Sequence, residues 1–146
     1  MMDEKSTDQL FDILTSTHSP KGLDQYIICH TQPDAAFSFK RAFDQLLQQH
    51  KLKRSEVIRR SGLERTYGYQ LLNGRKQPGR DKILALSIAA GFSLQEVQQL
   101  LKRSKEGALY PRSSRDAVLI YGIEHHLDVL RVNEMLADTG EPLLRL

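Results

Sequence analysis

The chain has 146 residues, of which 40% are hydrophobic and none is tryptophan. This length suffices to bury one core, and the composition favours a mainly helical domain over a sandwich of short strands. The single cysteine, Cys29, excludes an internal disulfide and suits a reducing compartment, so we expect a cytoplasmic protein. No signal-like N-terminal pattern and no apolar run of about 18 residues occurs, so we expect neither export nor membrane spanning.

The formal charge of +3 is unevenly distributed along the chain. Residues 1–36 carry two lysines against six acids, whereas residues 51–82 carry ten lysines or arginines against three acids. A basic run of this kind is either a solvated face or a surface that binds phosphates. Whether this run is a solvated face or a phosphate-binding surface depends on the structure that the basic segment is expected to form.

Residues 1–33 form an acidic N-terminal arm. Ser6 or Thr7 can cap a short helix there. Apolar residues recur at helical spacing in this helix and in a second short amphipathic piece, at Leu10, Phe11 and Leu14 and then at Leu23, Tyr26 and Ile27. The arm either packs on the basic domain or holds a partner protein.

A longer helix is predicted between Pro33 and His50. Proline is favoured in the first turn of a helix, so Pro33 is the expected start. Apolar residues then recur at steps of three and four, at Ala36, Phe39, Ala42, Phe43, Leu46 and Leu47. This helix is expected to open the basic domain.

The basic segment contains two short predicted helices joined by a glycine turn. The first carries Val57 and Ile58 on its apolar edge and stops at Gly62, because glycine readily takes the left-handed conformation of a helix C-terminus. The second spans about residues 65–73 and ends at the Asn73-Gly74 pair. Two helices joined in this way form a helix-turn-helix, which presents its second helix to the major groove of DNA.

Several residues of this segment fall on a known pattern: Leu52, Val57, Gly62, Leu63, Leu71, Asn73-Gly74 and Pro78. On these residues the chain resembles the Cro/CI-type (phage-repressor-like, XRE) family of helix-turn-helix DNA-binding proteins, over roughly residues 37–92. The resemblance implies an all-α fold with a lambda-repressor-like five-helix domain. It also implies a transcriptional regulator that binds double-stranded DNA, as a homodimer and without a cofactor.

The resemblance indicates which residues meet DNA. Base edges in the major groove would be read by residues of the second helix, namely Arg65, Thr66, Tyr69 and Gln70. Phosphates would be held by residues that open the first helix or follow the second, namely Arg54, Asn73, Arg75 and Lys76. Arg65 is the candidate for a bidentate contact with guanine.

Several residues depart from the family pattern, among them Arg54, which replaces a customary glutamine. A small residue is usual where Ile58 stands and a branched aliphatic residue where Gly68 stands, so the sizes of two packed neighbours are exchanged and their combined volume is kept. Lys53 and Glu64 stand where a serine or threonine cap is usual, and we expect neither side chain to cap its helix well.

Two helical hairpins are predicted after the basic segment. The first combines an apolar helix over residues 81–90 with a second helix that begins at a Ser93-Glu96 capping box and faces inward at Val97, Leu100 and Leu101. A shift of 35 residues superposes a second hairpin, over residues 114–125 and 128–138, on the first. The matching residues are Arg80-Asp81, Leu84, Ile88, Val97, Leu101, Glu106 and Leu109 with Arg115-Asp116, Leu119, Ile123, Val132, Leu136, Glu141 and Leu144.

Histidines adjoin other potential ligands at Cys29-His30 and among Glu124, His125 and His126. Neighbouring residues on a helix point about 100° apart, and no second pair with ligand spacing occurs. Ordinary surface histidines explain both groups. We therefore expect no metal site, no catalytic residues and no enzyme.

Three parts are predicted: the arm over residues 1–33, the helix-turn-helix domain over residues 34–104, and a C-terminal helical hairpin packed on it over residues 105–146. The hairpin extends the core, which we favour, or forms a dimer contact, or docks another protein. The predicted function is sequence-specific regulation of transcription. The alternative is a protein-interaction adaptor, or an antitoxin-like protein that holds a protein partner at the arm or the hairpin.

Overall fold

The computed structural model describes residues 6–16, 18–23 and 37–146. In this part of the chain every regular element is a helix, as the sequence predicts: α1 (Thr7–Thr15), α2 (Phe39–Gln49), α3 (Arg54–Ser61), α4 (Arg65–Leu72), α5 (Arg80–Ala90), α6 (Leu94–Arg103), α7 (Ser114–Glu124) and α8 (Val129–Asp138). A helical turn also spans residues 20–23. Across the described ranges, no helix has both the length and the apolar character needed to cross a bilayer. The chain divides into two compact units, Met1–Phe37 and Ser38–Leu146.

The first unit contains α1, which begins at a capping box. The Ser6 hydroxyl accepts the N–H of Gln9, and the Gln9 side chain accepts the N–H of Ser6, as the predicted cap requires. Within α1 itself no residue is buried, and Phe11 is 61% exposed. The predictions for Tyr26, Ile27, Cys29 and His30 lie outside the described residues.

The second unit opens with α2, whose start corrects the sequence prediction. Ser38 is extended, with φ of −127°, and its hydroxyl accepts the N–H of Arg41. Ser38 is therefore the N-cap, and the helix begins at Phe39 rather than at Pro33. The predicted apolar stripe is nevertheless correct from this point, because Phe39 and Phe43 are buried.

The core of the second unit is centred on α5. Residues 83–90 of this helix are all buried, because α5 packs against α3, α6 and α8. α2 is tied to α6 by His50, whose ring lies 5.1 Å from that of Phe92 and whose Nε2 lies 2.9 Å from Oε1 of Glu96. Glu96 also closes the capping box predicted for α6.

The structure confirms the predicted 35-residue repeat. Related apolar residues of the hairpins α5–α6 and α7–α8 are buried alike, at Leu84 and Leu119, Ile88 and Ile123, Val97 and Val132, Leu101 and Leu136, and Leu109 and Leu144. The backbone follows the same repeat, since Gly91 and His126 both have a positive φ, as do Lys105 and Gly140. Both hairpins therefore share one local design.

The two hairpins contact each other reciprocally. Nη2 of Arg80 lies 2.9 Å from Oδ2 of Asp116, and Nη2 of Arg115 lies 3.1 Å from Oδ2 of Asp81. Reciprocal contacts between equivalent residues define a two-fold relation. The hairpins are therefore related by an approximate two-fold axis, and the second hairpin extends the core of the first.

Candidate nucleic-acid interface

The turn between α3 and α4 is fixed by a buried serine and a glycine. Gly62 has φ of 81°, the left-handed conformation predicted for it. The Ser61 hydroxyl donates to the carbonyl of Ile58 at 2.7 Å and accepts the N–H of Leu63 at 3.1 Å. Ser61 and Leu63 are both buried, so the turn holds α4 in a set orientation against α3.

α3 and α4 approach each other closely at Gly68. A methyl group on Gly68 would lie 2.7 Å from Cγ2 of Ile58, which is too close for non-bonded carbon atoms. Both residues are buried. The predicted packing of Ile58 against Gly68 is confirmed, because the glycine leaves the space that the Ile58 side chain fills.

Glu64 caps α4, contrary to the sequence prediction. Its Oε2 accepts the N–H of Tyr67 at 2.8 Å and its Oε1 accepts the N–H of Thr66 at 3.0 Å. These two backbone donors, Tyr67 first, lower the pKa of Glu64 below its usual value. The prediction was wrong because a longer side chain can still fold back over the first turn. Lys53 makes no side-chain cap at the start of α3, as expected.

The predicted base-reading residues lie on the outer side of α4 and along one flank of it. The helix turns its other side to the core, at Gly68, Leu71 and Leu72. Because successive residues are about 100° apart, Thr66 and Gln70 lie opposite these buried positions. Arg65 and Thr66 are exposed, whereas Tyr69 and Gln70 are half-buried.

Two tyrosines flank this exposed side, and each ring lies close to a cation. Cζ of Arg65 is 5.9 Å from the ring centroid of Tyr69, and Nζ of Lys76 is 5.4 Å from that of Tyr67. Such contacts at exposed sites contribute about 0.5–1 kcal/mol each. These contacts place the two cations on opposite flanks of α4.

Arg54 opens α3, as predicted, but much of its charge is paired within the chain. Its Nη2 lies 2.6 Å from Oδ2 of Asp44, and Nζ of Lys40 lies 3.2 Å from the same oxygen. Partial burial tends to raise the pKa of Asp44, but hydrogen bonds from Arg54 and Lys40 lower it overall. The charge that Arg54 can offer to a phosphate is thereby reduced.

The other predicted phosphate contacts follow α4 in an exposed loop. Oδ1 of Asn73 accepts the N–H of Arg75 at 3.1 Å, and the N–H of Lys76 donates to the carbonyl of Gln70 at 3.1 Å. Asn73, Arg75 and Lys76 are all exposed. The loop therefore extends the basic surface beyond the end of α4.

Sequence reasoning missed several residues on the two flanks of α4, among them Arg59 and Arg145. On one flank, Ser55 and Arg59 of α3 line a groove together with Arg65 and Tyr69. Helical spacing could have identified Arg59, which lies one turn after Ser55 and on the same face.

On the other flank, Tyr67 faces a recess between α4 and α5. The residues that line this α4–α5 recess are Tyr67, Gly79, Arg80, Asp81, Lys82 and Arg145. No local pattern could have placed Arg145 here, since it lies beyond the last helix of the chain.

The two histidines of the C-terminal hairpin lie at the end of α7 and in the turn that follows it. His125 ends α7 with its ring 4.1 Å from that of Tyr121, and His126 takes a left-handed φ of 52° in the following turn. Among the residues that the structure describes, no three His, Cys, Asp or Glu side chains are grouped to hold a metal ion.

The structure therefore brings Arg65, Thr66, Tyr69 and Gln70 together on α4, with Arg75 and Lys76 beyond its end. No protein-family model matches the chain, and no curated protein or solved structure matches it either. The geometry around α3 and α4 is thus the basis for a functional proposal.

Proposed function

We propose that the chain is a cytoplasmic, sequence-specific regulator of transcription that binds double-stranded DNA through α4. In this proposal α2 to α6 form a lambda-repressor-like five-helix domain, in which α3 and α4 are the helix-turn-helix. The observation that carries the proposal is the exposed side of α4, where polar residues face outward between cations on both flanks.

Each part of this surface suits a chemical group of the duplex. Arg65 matches the two acceptors of a guanine edge and Gln70 the acceptor and donor of an adenine edge, with Thr66 and Tyr69 beside them. The phosphate contacts are assigned to Arg54, Asn73, Arg75 and Lys76. Glu64 adds a negative charge here, but its carboxylate is directed at the amides of α4, which limits its repulsion of phosphates.

Selection from a randomised duplex library tests the proposal. Purified protein is incubated with the library at about 0.15 M salt, and the salt dependence of affinity is then measured on the enriched site. We expect enrichment of a two-fold symmetric site. Weak, sequence-independent binding that disappears with salt would instead mean that the basic surface is only an electrostatic feature.

The substitution Arg65→Ala tests the assignment of one base contact. We expect it to reduce discrimination at a single base pair by about 1–3 kcal/mol, because a bidentate contact with guanine is lost. Arg112→Ala is the matched control, since Arg112 is an exposed arginine outside the motif. An equal loss of affinity for every sequence would contradict the assignment.

A second function, as a protein-interaction adaptor, is favoured by two observations. Asp44 already neutralises part of the charge of Arg54, and α1 leaves Phe11 61% exposed. An antitoxin-like protein would combine a partner at the arm or the hairpin with DNA at α4. Capture of a defined partner by the wild-type chain but not by Phe11→Ser would support this function. Tight DNA binding without any partner would contradict it.

A further inference from the structure

The α4–α5 recess brings the end of the chain beside the proposed DNA-reading helix. Tyr67 contributes from α4, Lys82 from α5, and Arg145 from the segment that follows α8. We propose that Arg145 is a phosphate contact, so that the C-terminal hairpin forms part of the DNA-binding surface. This inference rests on the proposed function and extends it to a residue far from the helix-turn-helix.

The backbone of Arg145 is held firmly against α5. Its N–H donates to Oδ2 of Asp81 at 2.9 Å, and Arg115 binds the same carboxylate through Nη1 and Nη2, both at 3.1 Å. The preceding Leu144 is buried, and its N–H donates to Oδ1 of Asn133 at 2.9 Å. The position of Arg145 is therefore set by the fold.

The internal repeat shows that this backbone contact does not need an arginine side chain. Tyr110 is the residue related to Arg145, and its N–H donates in the same way to Oδ2 of Asp116, at 2.9 Å. The anchoring contact therefore needs only a backbone N–H and accepts tyrosine equally well. It leaves the exposed Arg145 guanidinium available for a ligand.

Charges inside the recess are largely balanced without Arg145. Arg80 is paired with Asp116, and Asp81 is paired with Arg115. Arg145 and Lys82 then give the recess a positive balance, and Lys76 adds to it from its position beside the Tyr67 ring. This net positive charge favours an anionic ligand.

The placement on both flanks of α4 suits a duplex. Tyr67 and Tyr69 are two residues apart and so point about 200° apart around the helix. Arg59 lies on the Tyr69 flank, whereas Lys82 and Arg145 line the Tyr67 flank. A helix in the major groove has one phosphate backbone on each side, so the two flanks face different strands.

The substitution Arg145→Gln tests the inference in the full-length chain. Affinity for the selected duplex is measured by fluorescence anisotropy over a series of salt concentrations. We expect roughly three- to tenfold weaker binding at 0.15 M salt for every sequence, and a salt slope that is smaller by about 0.9. Arg145→Lys should restore most of the slope, because it keeps the charge. Lys102→Gln is the matched control, since Lys102 is an exposed cation of α6 that does not line the recess.

The outcomes distinguish this inference from the proposed function. Lys76→Gln provides the comparison, because it removes a phosphate contact already assigned beside α4. If the wild-type chain binds DNA and Lys76→Gln reduces the slope while Arg145→Gln does not, the inference alone is overturned. If the wild-type chain binds no duplex, the proposed function fails and the inference fails with it.

Discussion

Gly68 controls how closely α4 approaches α3. Its missing side chain is matched by the branched side chain of Ile58, which fills the space between the helices. A glycine inside a helix costs about 1 kcal/mol relative to alanine, so the close approach offsets a loss of helix propensity. The orientation of the exposed side of α4 therefore depends on this pair as well as on the turn at Ser61 and Gly62.

The substitution Gly68→Ala tests the packing of this pair. We expect a net destabilisation of about 1–3 kcal/mol, because the added methyl group overlaps Ile58 by more than the helix can relax. Ile58→Ala alone should cost about 2–5 kcal/mol through the cavity that it leaves. The double variant should be more stable than the sum of the two single effects predicts. Urea unfolding measures all three, and strictly additive losses would contradict direct packing.

Paired hairpins are the main feature at the scale of elements. Arg80 binds Asp116 rather than its neighbour Asp81, and Arg115 likewise reaches across to Asp81. Each arginine also donates to two carbonyls of its own hairpin, Gly107 and Ala108 or Pro142 and Leu143. The repeat thus builds two equivalent clamps between the hairpins.

A double-mutant cycle tests the crossed pairing. Arg80→Gln and Asp116→Asn should each destabilise the chain by about 1–3 kcal/mol, since the Asp116 side chain is buried and that of Arg80 is only partly exposed. Their effects should couple strongly, whereas Arg80→Gln and Asp81→Asn, which share no direct ion pair, should couple less. Coupling of Arg80 with Asp81 instead of Asp116 would contradict the crossed arrangement.

The clamps also predict a dependence of stability on pH. Burial tends to raise the pKa of Asp116, but hydrogen bonds from Arg80 and from the N–H of Tyr110 lower it overall. A carboxyl whose pKa is lower in the folded state stabilises the fold above its unfolded pKa of about 4, and this stabilisation is lost as the pH falls through the folded pKa.

The free energy of unfolding of Asp116→Asn should therefore lie below that of wild type at pH 7. The difference should shrink as the pH falls below about 4. Urea titrations between about pH 7 and pH 3 measure it, with exposed Asp138→Asn as the control. A difference that stays constant with pH would show that Asp116 does not contribute as a paired carboxylate.

At the scale of the whole molecule, the proposed DNA binding needs a second copy of the chain. α4 has only eight residues and would read few base pairs, so the proposed specificity requires two half-sites about 34 Å apart. The surface that α5 and α6 present to the second hairpin is already buried within the chain. A homodimer would therefore use a different surface.

Light scattering of the complex with the selected duplex tests the dimer. We expect a mass of two chains per duplex, and loss of the two-chain complex when one half-site is scrambled. A complex that contains a single chain on an intact symmetric site would reject the homodimer.

The sequence by itself determined most of the helices, the glycine turn, the cap at Ser93 and the 35-residue repeat, and it placed the first cap at Ser6 or Thr7. These features depend on residues within a few positions of one another, or on periodic patterns that repeat along the chain. Two predictions were wrong. The long Glu64 side chain was expected not to cap α4, but it does. The helix expected to start at Pro33 begins at Phe39, because Ser38 is extended and caps it.

Only the tertiary structure decided which charges are available to a ligand. Arg54 meets Asp44 from a different helix, and Arg145 reaches the recess beside Tyr67 from the end of the chain. Neither pairing follows from local spacing, because it depends on how distant segments pack. The predicted basic run therefore located the candidate surface, and the fold selected the cations that compose it.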